Sequence, residues 1–279
     1  MKKNVYFLVM SMLAFLVSCT TEPDNDDGDD WDAAKVCPET GTNSYGMPNR
    51  GTFTDERDGQ VYRYTTIGNQ VWMAENLRFV LQQPYSLCYG KQHCFVNYRY
   101  KGDEGESICK TDTSNLADIA KKMNFVCADN DCIADKYCEK FGRYYTLMEN
   151  AGSLGLIDRD VADSVCPHGW HVPARAEWEK LIDNVDGKTS RLLSQEPVYF
   201  RSSNDVRGMD DGTDDCGMNI YPSASLNNGG EPEGPFFKYV FYWTQTQATT
   251  AHVDVLHFTY YQVKYIQGTD FFPIRCIKD

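Results

Sequence analysis

The chain has 279 residues, a formal net charge of −13 at pH 7 and 11 cysteines. This acidic balance argues against a nucleic-acid-binding protein, because contacts to phosphates need clustered lysines and arginines. It also argues against electrostatic adhesion to an anionic membrane surface. The length suffices for one large hydrophobic core or two small ones. The 18 tyrosines and 14 phenylalanines favour a β-rich or α+β architecture.

The N-terminus has the features of an export signal. Two lysines precede an apolar run over residues 5–17, which suits a secretory signal peptide and is too short to span a bilayer. The run ends in the sequence LVSC (16–19), which resembles the lipobox of bacterial lipoproteins. That resemblance implies a lipoprotein signal peptide over residues 1–18 and a diacylglycerol on the thiol of Cys19. An ordinary signal peptide with a cysteine nearby is the alternative.

Residues 19–50 are predicted to form an acidic, flexible tether. Seven acidic side chains and no basic one lie between Glu22 and Asp32, and such a segment cannot bury enough apolar surface to fold. Acidic residues soon after a lipidated cysteine also resemble the surface-export signal of Bacteroidetes-type lipoproteins. The resemblance implies an outer-membrane lipoprotein exposed at the cell surface; a periplasm-facing lipoprotein is the alternative. The folded domain is predicted over residues 51–279.

Ten cysteines remain if Cys19 carries lipid. An even number of cysteines in an oxidising compartment favours disulfides. A zinc site would need CxxC pairs or histidines at short spacing, and the chain contains no CxxC. Six of the ten lie between Cys88 and Cys138, so a disulfide-stapled, loop-rich insertion is predicted over about residues 88–138.

Regular elements of the domain are predicted to begin with a hairpin. Val61–Ile67 and Gln70–Met73 are β-prone, and the turn dipeptide Gly68-Asn69 separates them. A brief helix is predicted over residues 115–123. Another short helix, ended by a glycine, is predicted over residues 143–152.

The clearest helix is predicted over residues 174–185. Pro173 precedes it and Glu177 lies in its first turn, which are both typical of a helix start. Four apolar side chains recur with the spacing of one helical face: Trp178, Leu181, Ile182 and Val185. A second short helix is predicted over residues 188–195. Three further strands are predicted over residues 239–246, 252–264 (as a hairpin) and 272–277.

Five segments of the domain form a recognisable series. They are DERDGQVYRYTTIGNQVWMAENL (55–77), FGRYYTLMENA (141–151), VCPHGWHVPARAEWEKL (165–181), FYWTQTQ (241–247) and IRCIKD (274–279). In this order they resemble the Fibrobacter succinogenes major paralogous domain, a module common on exported bacterial lipoproteins. The resemblance covers nearly all of residues 51–279. Two features depart from it: the stretch over 88–138 is longer than the usual connection, and Phe141 stands where tyrosine is common.

The segment GWHVPARAEWEKL (169–181) and the closing arginine-cysteine strand also resemble the formylglycine-generating-enzyme branch of the C-type-lectin-like fold. This resemblance implies an α+β, C-type-lectin-like domain with a twisted antiparallel sheet, two main helices and long disulfide-stapled loops. Its N- and C-terminal strands are expected to lie close together. The cysteine-dependent oxidation of those enzymes needs a cysteine pair late in the domain. Because Cys216 and Cys276 each stand alone, that activity is not carried over.

Disulfide partners remain hypotheses at this point, because connectivity cannot be deduced from sequence. Three pairs are proposed: Cys166 with Cys276, Cys88 with Cys138, and Cys37 with Cys216. The first would close a loop of about 110 residues, worth on the order of 4 to 5 kcal/mol by chain entropy. The second would close the insertion at its base. The cysteines at 94, 109, 127 and 132 would pair among themselves in an arrangement left open.

Motifs for chemistry are few. The sequence has no GxSxG elbow, HExxH pair, Walker loop or dinucleotide fingerprint. His171 is expected to be a partly buried structural residue. Weak calcium candidates are Asp210, Asp211, Asp214 and Asp215, with a solvated acidic loop as the alternative. The tripeptide Glu231-Pro232-Glu233 resembles the calcium motif of sugar-binding C-type lectins. No other cofactor is predicted.

Aromatic residues are numerous enough for a glycan-binding surface, since sugar faces stack on aromatic rings. The candidates are Tyr221, Phe236, Phe237, Tyr239, Tyr242, Tyr260, Tyr261 and Tyr265. Four tryptophans within the family segments are instead expected in the core: Trp72, Trp170, Trp178 and Trp243. The preferred hypothesis is a non-enzymatic, lipid-anchored envelope protein that binds or adheres to a partner, with polysaccharide or envelope proteins as partners and no nucleic acid. The alternatives are a structural or assembly lipoprotein and a carboxylate-dependent glycan-processing enzyme.

Overall fold

The computed structural model describes most of the chain from residue 30 onward. The described residues are 30–82, 84–97, 106–148, 157–196, 212–222, 224–227, 230–233, 239–249, 252–259, 262–268 and 271–279. The signal peptide predicted over 1–18 and the lipidation predicted at Cys19 lie outside them. No helix in the described segments is both long enough and apolar enough to cross a bilayer.

The domain is α+β. Its helices in the described segments are α1 (Ala33–Val36), α2 (Leu116–Lys122), α3 (Asn130–Phe141), α4 (Arg159–Ser164) and α5 (Arg175–Asn184), with a 3-10 turn over Thr189–Arg191. The strands are β1 (Arg50–Thr54), β2 (Val61–Ile67), β3 (Gln70–Met73), β4 (Ser86–Leu87), β5 (His93–Asn97), β6 (Glu106–Lys110), β7 (Tyr144–Tyr145), β8 (Trp170–His171), β9 (Ser225–Leu226), β10 (Pro232–Glu233), β11 (Val240–Thr249), β12 (His252–Thr259), β13 (Gln262–Gly268), β14 (Phe272–Pro273) and β15 (Ile277–Lys278).

An antiparallel sheet joins the two ends of the domain. Its strand order is β1-β2-β3-β15-β8, and Ile277 of β15 pairs with Trp72 of β3. The predicted hairpin of β2 and β3 is confirmed, and its turn uses Gly68 at a φ of 60°, where a side chain is disfavoured. The rest of the β structure in the described residues is a three-stranded sheet (β14-β7-β4), another (β11-β12-β13) and two hairpins (β5-β6 and β9-β10).

Residues 31–50, the second part of the predicted tether, belong to the same compact unit as the folded domain. The Trp31 indole donates a hydrogen bond to the carbonyl of Asn184 at 2.7 Å. Cys37 is 1% exposed and bonded to Cys216. The acidic run suggested a tether, but its last member, Asp32, caps α1 by accepting a hydrogen bond from the Ala34 N–H.

Helix predictions were right where one apolar face was clear. Helix α5 lies within the predicted 174–185 and buries Trp178 and Leu181, and α2 falls within the predicted 115–123. The helix predicted over 188–195 is reduced to one 3-10 turn. The two longest helices in the described residues are α3 and α5. Helix α3 was not predicted from the sequence, and its N-cap Asp129 accepts a hydrogen bond from the Cys132 N–H.

The helix predicted over 143–152 is wrong in its described part. Tyr144 and Tyr145 form the central strand β7, paired with β4 and β14. Both are buried, but Tyr145 belongs to one apolar cluster and Tyr144 to another. In a strand, successive side chains point to opposite faces, so two adjacent tyrosines can enter different cores. The sequence does not reveal this arrangement, because it depends on the strands on either side of β7. Residues 149–152 lie outside the described residues.

The final strands follow the prediction closely. The segments predicted as a strand and a hairpin become β11, β12 and β13, and the strand predicted over 272–277 is divided into β14 and β15. The four family tryptophans are at most 6% exposed. They lie in the cores of the domain, as expected.

Five disulfides join the ten cysteines after residue 19. They are Cys37–Cys216, Cys88–Cys138, Cys94–Cys109, Cys127–Cys132 and Cys166–Cys276. The three pairs proposed from the sequence are among them. Within the insertion, one bond crosses the β5-β6 hairpin and another closes the start of α3.

Candidate binding cleft

A polar cleft of about 340 Å³ lies where α3 approaches the end of the five-stranded sheet. Helix α3 contributes Glu139 and Lys140, the last residues before its end at Phe141. The β2-β3 hairpin and the segment after it contribute Arg63, Glu75 and neighbours. The rest of the lining comes from the segment between α5 and β9 and from the residue before Cys276. Glu139 and Lys140 directly follow the cysteine-rich insertion, which the Cys88–Cys138 bond closes at its base.

One part of the lining is built around Glu196. Its carboxylate lies 2.7 Å from the Lys140 ammonium and accepts a hydrogen bond from the Tyr221 hydroxyl at 2.9 Å. The Lys140 ammonium also lies 5.0 Å from the centre of the Tyr221 ring. Burial disfavours the charged form of Glu196, but the bonds from Lys140 and Tyr221 outweigh it and lower its pKa. Glu196 is therefore an ionised group held in place by its neighbours.

A second carboxylate in the lining, Glu75, is surrounded by cations. One oxygen lies 3.8 Å from the Arg63 guanidinium and 3.6 Å from that of Arg78. The other accepts a hydrogen bond from the Arg63 backbone N–H at 2.6 Å. Both carboxylates therefore face the cleft with cationic partners in place.

A buried network lies beneath these groups, centred on Asn76 and Arg275. The Asn76 side-chain oxygen accepts hydrogen bonds from the Arg275 Nε at 3.0 Å, from its Nη2 at 2.7 Å and from the Tyr242 hydroxyl at 2.8 Å. The Asn76 amide nitrogen donates to the carbonyl of Phe141 at 2.8 Å, and the Arg275 Nη1 donates to the carbonyl of Met218. Because Arg275 is only 1% exposed, burial lowers its pKa.

Residues 65–278 of the chain match the family model of the Fibrobacter succinogenes major domain. The chain belongs to this family. The match extends over most of the cleft, from Ala74 to Arg275, and leaves out Arg63. No curated protein and no solved structure matches the chain.

Sequence reasoning missed the cleft of this Fibrobacter major domain. Asn76 and Arg275 lie in two of the family segments, and a signal for them existed. Arg275 is a charged residue between the apolar Ile274 and Cys276, and Asn76 lies directly before Leu77 in the segment that contains Trp72, which is expected in the core. Lys140 and Glu196 gave no comparable signal, because they are charged residues outside any recognised motif.

The weak calcium candidates are not gathered into a site among the described residues. Asp214 accepts a hydrogen bond from the Asn219 N–H at 2.7 Å, and Asp215 accepts one from the Thr213 hydroxyl at 2.9 Å. Burial raises the pKa of Asp214 to about 6. Asp210 and Asp211 lie outside the described residues. In the part of the Fibrobacter major domain that the structure describes, no group of three or more His, Cys, Asp or Glu side chains is placed to hold a metal ion.

The aromatic residues singled out for sugar stacking fall into three groups. Tyr221 and Tyr242 are buried at 6% and 1% exposure, so they offer no open ring face. Tyr239 is partly buried and packs against a core cluster, and Tyr265 is placed on β13. The others lie outside the described residues: Phe236, Phe237, Tyr260 and Tyr261. Glu231, from the lectin-like tripeptide, pairs with Lys110 at 3.1 Å.

His171 bridges two carboxylates at the edge of the five-stranded sheet. Its Nδ1 lies 2.7 Å from Asp279, and its Nε2 lies 3.0 Å from Glu177. Glu177 also accepts a hydrogen bond from the Ala174 N–H at 2.8 Å, at the start of α5. The arrangement ties β8 and the segment after β15 to the first turn of α5. This is a structural role, and it is the role expected from the sequence.

The His171 contacts predict a pH-dependent contribution to stability. The bond to Glu177 raises the pKa of His171 above its ordinary 6.5, so this stabilisation is complete below pH 6.5 and is lost as the pH rises through the raised pKa. Burial opposes ionisation of Glu177, but His171 and the Ala174 N–H lower its pKa below 4.5. That stabilisation is complete above pH 4.5 and is lost as the pH falls through the lowered pKa. Both contributions are therefore complete between pH 4.5 and 6.5.

Replacing His171 by glutamine should lower the free energy of unfolding by on the order of 1 kcal/mol at pH 5.5 and by less at pH 9. Urea unfolding at both pH values measures the difference. His168→Gln is the control, because His168 is exposed. An H171Q deficit that is the same at both pH values would contradict the assignment.

Proposed function

We propose that this protein is a lipid-anchored protein of the cell envelope and that its domain binds a glycan in the polar cleft. The observation that carries the proposal is the lining. It combines cations, carboxylates and the amides of Asn76 and Asn219 around one opening. A sugar presents hydroxyls that both donate and accept hydrogen bonds, so such a lining suits it.

The fold we propose for this domain is C-type-lectin-like. The pairing of β3 with β15, which places the N-terminal hairpin of β2 and β3 beside the last strand, supports it. So do the two main helices and the five disulfides. A fold does not identify a ligand, because one scaffold hosts many functions.

The lipid anchor we propose is a diacylglycerol on the Cys19 thiol, with display at the cell surface. Two or more acyl chains hold a protein on a membrane far more firmly than one. Mass spectrometry of the N-terminal peptide from the native membrane fraction should show a chain that begins at a lipid-modified Cys19. An intact N-terminus with an unmodified thiol would contradict the anchor.

Among the alternatives, a glycan-processing enzyme has one observation in its favour, which is that Glu75, Glu139 and Glu196 line one cleft. General acid catalysis needs a carboxyl group with a raised pKa, whereas the pKa of Glu196 is lowered. A structural or assembly protein would need a broad apolar surface. The exposed large apolar residues in the described segments come from four separate places: Tyr45, Val61, Val80 and Val126.

Glycan binding is tested with the full chain in detergent and a panel of immobilised polysaccharides. Replacing Lys140 and Glu196 together by alanine should weaken retention roughly tenfold or more, because hydrogen bonds to charged groups are worth about 1.5–3 kcal/mol. The matched control replaces Arg175 and Glu179, an ion pair on α5 outside the cleft, and should bind as the parent does. If both double variants bind as the parent does, the glycan does not bind in this cleft. Release of shorter sugars from the immobilised polysaccharide would favour the glycan-processing enzyme.

A further inference from the structure

We infer that the ligand of this cleft is an uncharged, hydroxyl-rich saccharide rather than an acidic polysaccharide. This inference rests on the proposed binding function and adds the ligand class. The charges of the lining are balanced, with three cations and three carboxylates: Arg63, Lys140 and Arg275 against Glu75, Glu139 and Glu196. A lining without net charge gives a polyanion no long-range attraction.

The cations of the cleft are already engaged within the protein. Lys140 holds Glu196 at 2.7 Å, and Arg63 lies against Glu75. A uronate or sulfate group would have to displace one of these carboxylates, which would leave a partly buried anion without its partner. A hydroxyl group can instead share the same cations and carboxylates, because it adds a donor and an acceptor without adding charge.

The most buried cation of the lining, Arg275, is not arranged as an anion receptor. Recognition of a carboxylate by arginine uses two parallel N–H groups of one guanidinium edge. In this protein the Arg275 Nε and Nη2 both donate to Asn76, and Nη1 donates to Met218. The edge formed by Nε and Nη2 is therefore taken by a neutral internal acceptor.

Glu139 increases the selectivity against anions. It is exposed on α3 beside Lys140 and lines the same cleft. Its carboxylate repels a uronate or sulfate and can accept hydrogen bonds from hydroxyls. The charge balance therefore depends on Glu196 and Glu139, and removing either carboxylate charge should shift the preference toward acidic ligands.

The test compares the full chain with Glu196→Gln, which removes one negative charge and keeps an oxygen that can accept from Tyr221. The probes are neutral β-glucan, mannan and xylan, and acidic polygalacturonate and chondroitin sulfate, each at 50 mM and 500 mM NaCl. The parent should bind at least one neutral polymer with less than a twofold change between the two salt concentrations. It should retain the acidic polymers at least tenfold more weakly. E196Q should gain about fivefold or more in retention of an acidic polymer at 50 mM NaCl and lose that gain at 500 mM.

The matched control is Glu179→Gln, which makes the same charge change in an exposed ion pair on α5 and should produce no such gain. Glu139→Gln, at an exposed position, is a second variant and should shift binding in the same direction as E196Q. Stronger binding of the parent to an acidic polymer than to any neutral one would overturn the ligand class and leave glycan binding standing. Equal gains in E196Q and E179Q would also overturn it. Failure of the parent to bind any of the five polymers would overturn the proposed function together with this inference.

Discussion

Replacing Asn76 by leucine is expected to lower the free energy of unfolding by about 3–5 kcal/mol, because it removes the acceptor that holds a buried charge. Asn76 is 5% exposed and Arg275 is 1% exposed. One Asn76 oxygen accepts from the Arg275 guanidinium and from the Tyr242 hydroxyl. Leucine fills a similar volume but leaves these donors with no acceptor there.

Urea unfolding of Asn76→Leu, Arg275→Met and the double variant tests the coupling directly. Arg275→Met removes the buried charge, so the double variant should lose less free energy than the sum of the single variants. Asn130→Leu on the exposed start of α3 is the control and should change the free energy of unfolding by about 0.5 kcal/mol at most. Strict additivity of the two single changes would show that Asn76 and Arg275 do not stabilise each other.

The network is also expected to affect the proposed glycan binding. Asn76 lies directly after Glu75 and donates to the carbonyl of Phe141, the last residue of α3. Glu75 and Lys140 line the cleft from these two segments. The same asparagine therefore fixes the β3 side of the cleft relative to the end of α3, and loss of glycan binding in N76L is expected even under conditions in which the variant is folded.

The parts of the fold that could be predicted are those whose signal is local. The hairpin of β2 and β3 follows from two β-prone runs around Gly68-Asn69, and α5 follows from one apolar stripe with a proline at its start. The start of the domain at Trp31 could not be predicted in this way. It depends on contacts to Asn184 and Cys216, which are more than 150 residues away in the sequence.

Helix α3 shows how a real signal can be overlooked. Ile133, Tyr137 and Phe141 recur four residues apart and are buried, and Asp129 provides the N-cap. The density of cysteines led to the prediction of a loop-rich insertion instead. The cleft itself is assembled from segments far apart in the chain, so its charge balance becomes visible only when α3 is placed beside the end of the five-stranded sheet.

Removing the Cys166–Cys276 bond is expected to cost far more stability than removing Cys127–Cys132. The two bonds differ in sequence separation, 110 residues against 5. In the chain-entropy model, replacing both cysteines of the longer loop by alanine should lower the free energy of unfolding by about 4–5 kcal/mol, against about 2 kcal/mol for the shorter loop. Cys166 and Cys276 are also buried at 4% and 0% exposure, so their replacement adds a packing loss in the same direction.

Urea unfolding of the two double alanine variants, in buffer without reductant, measures the difference. The Cys127 and Cys132 variant is the matched control, because it removes the same number of sulfur atoms from the start of α3. The m-value of the Cys166 and Cys276 variant should also rise, since its unfolded chain is less constrained and exposes more surface. Equal losses of unfolding free energy in the two variants would show that these bonds do not stabilise the domain by restricting the unfolded chain.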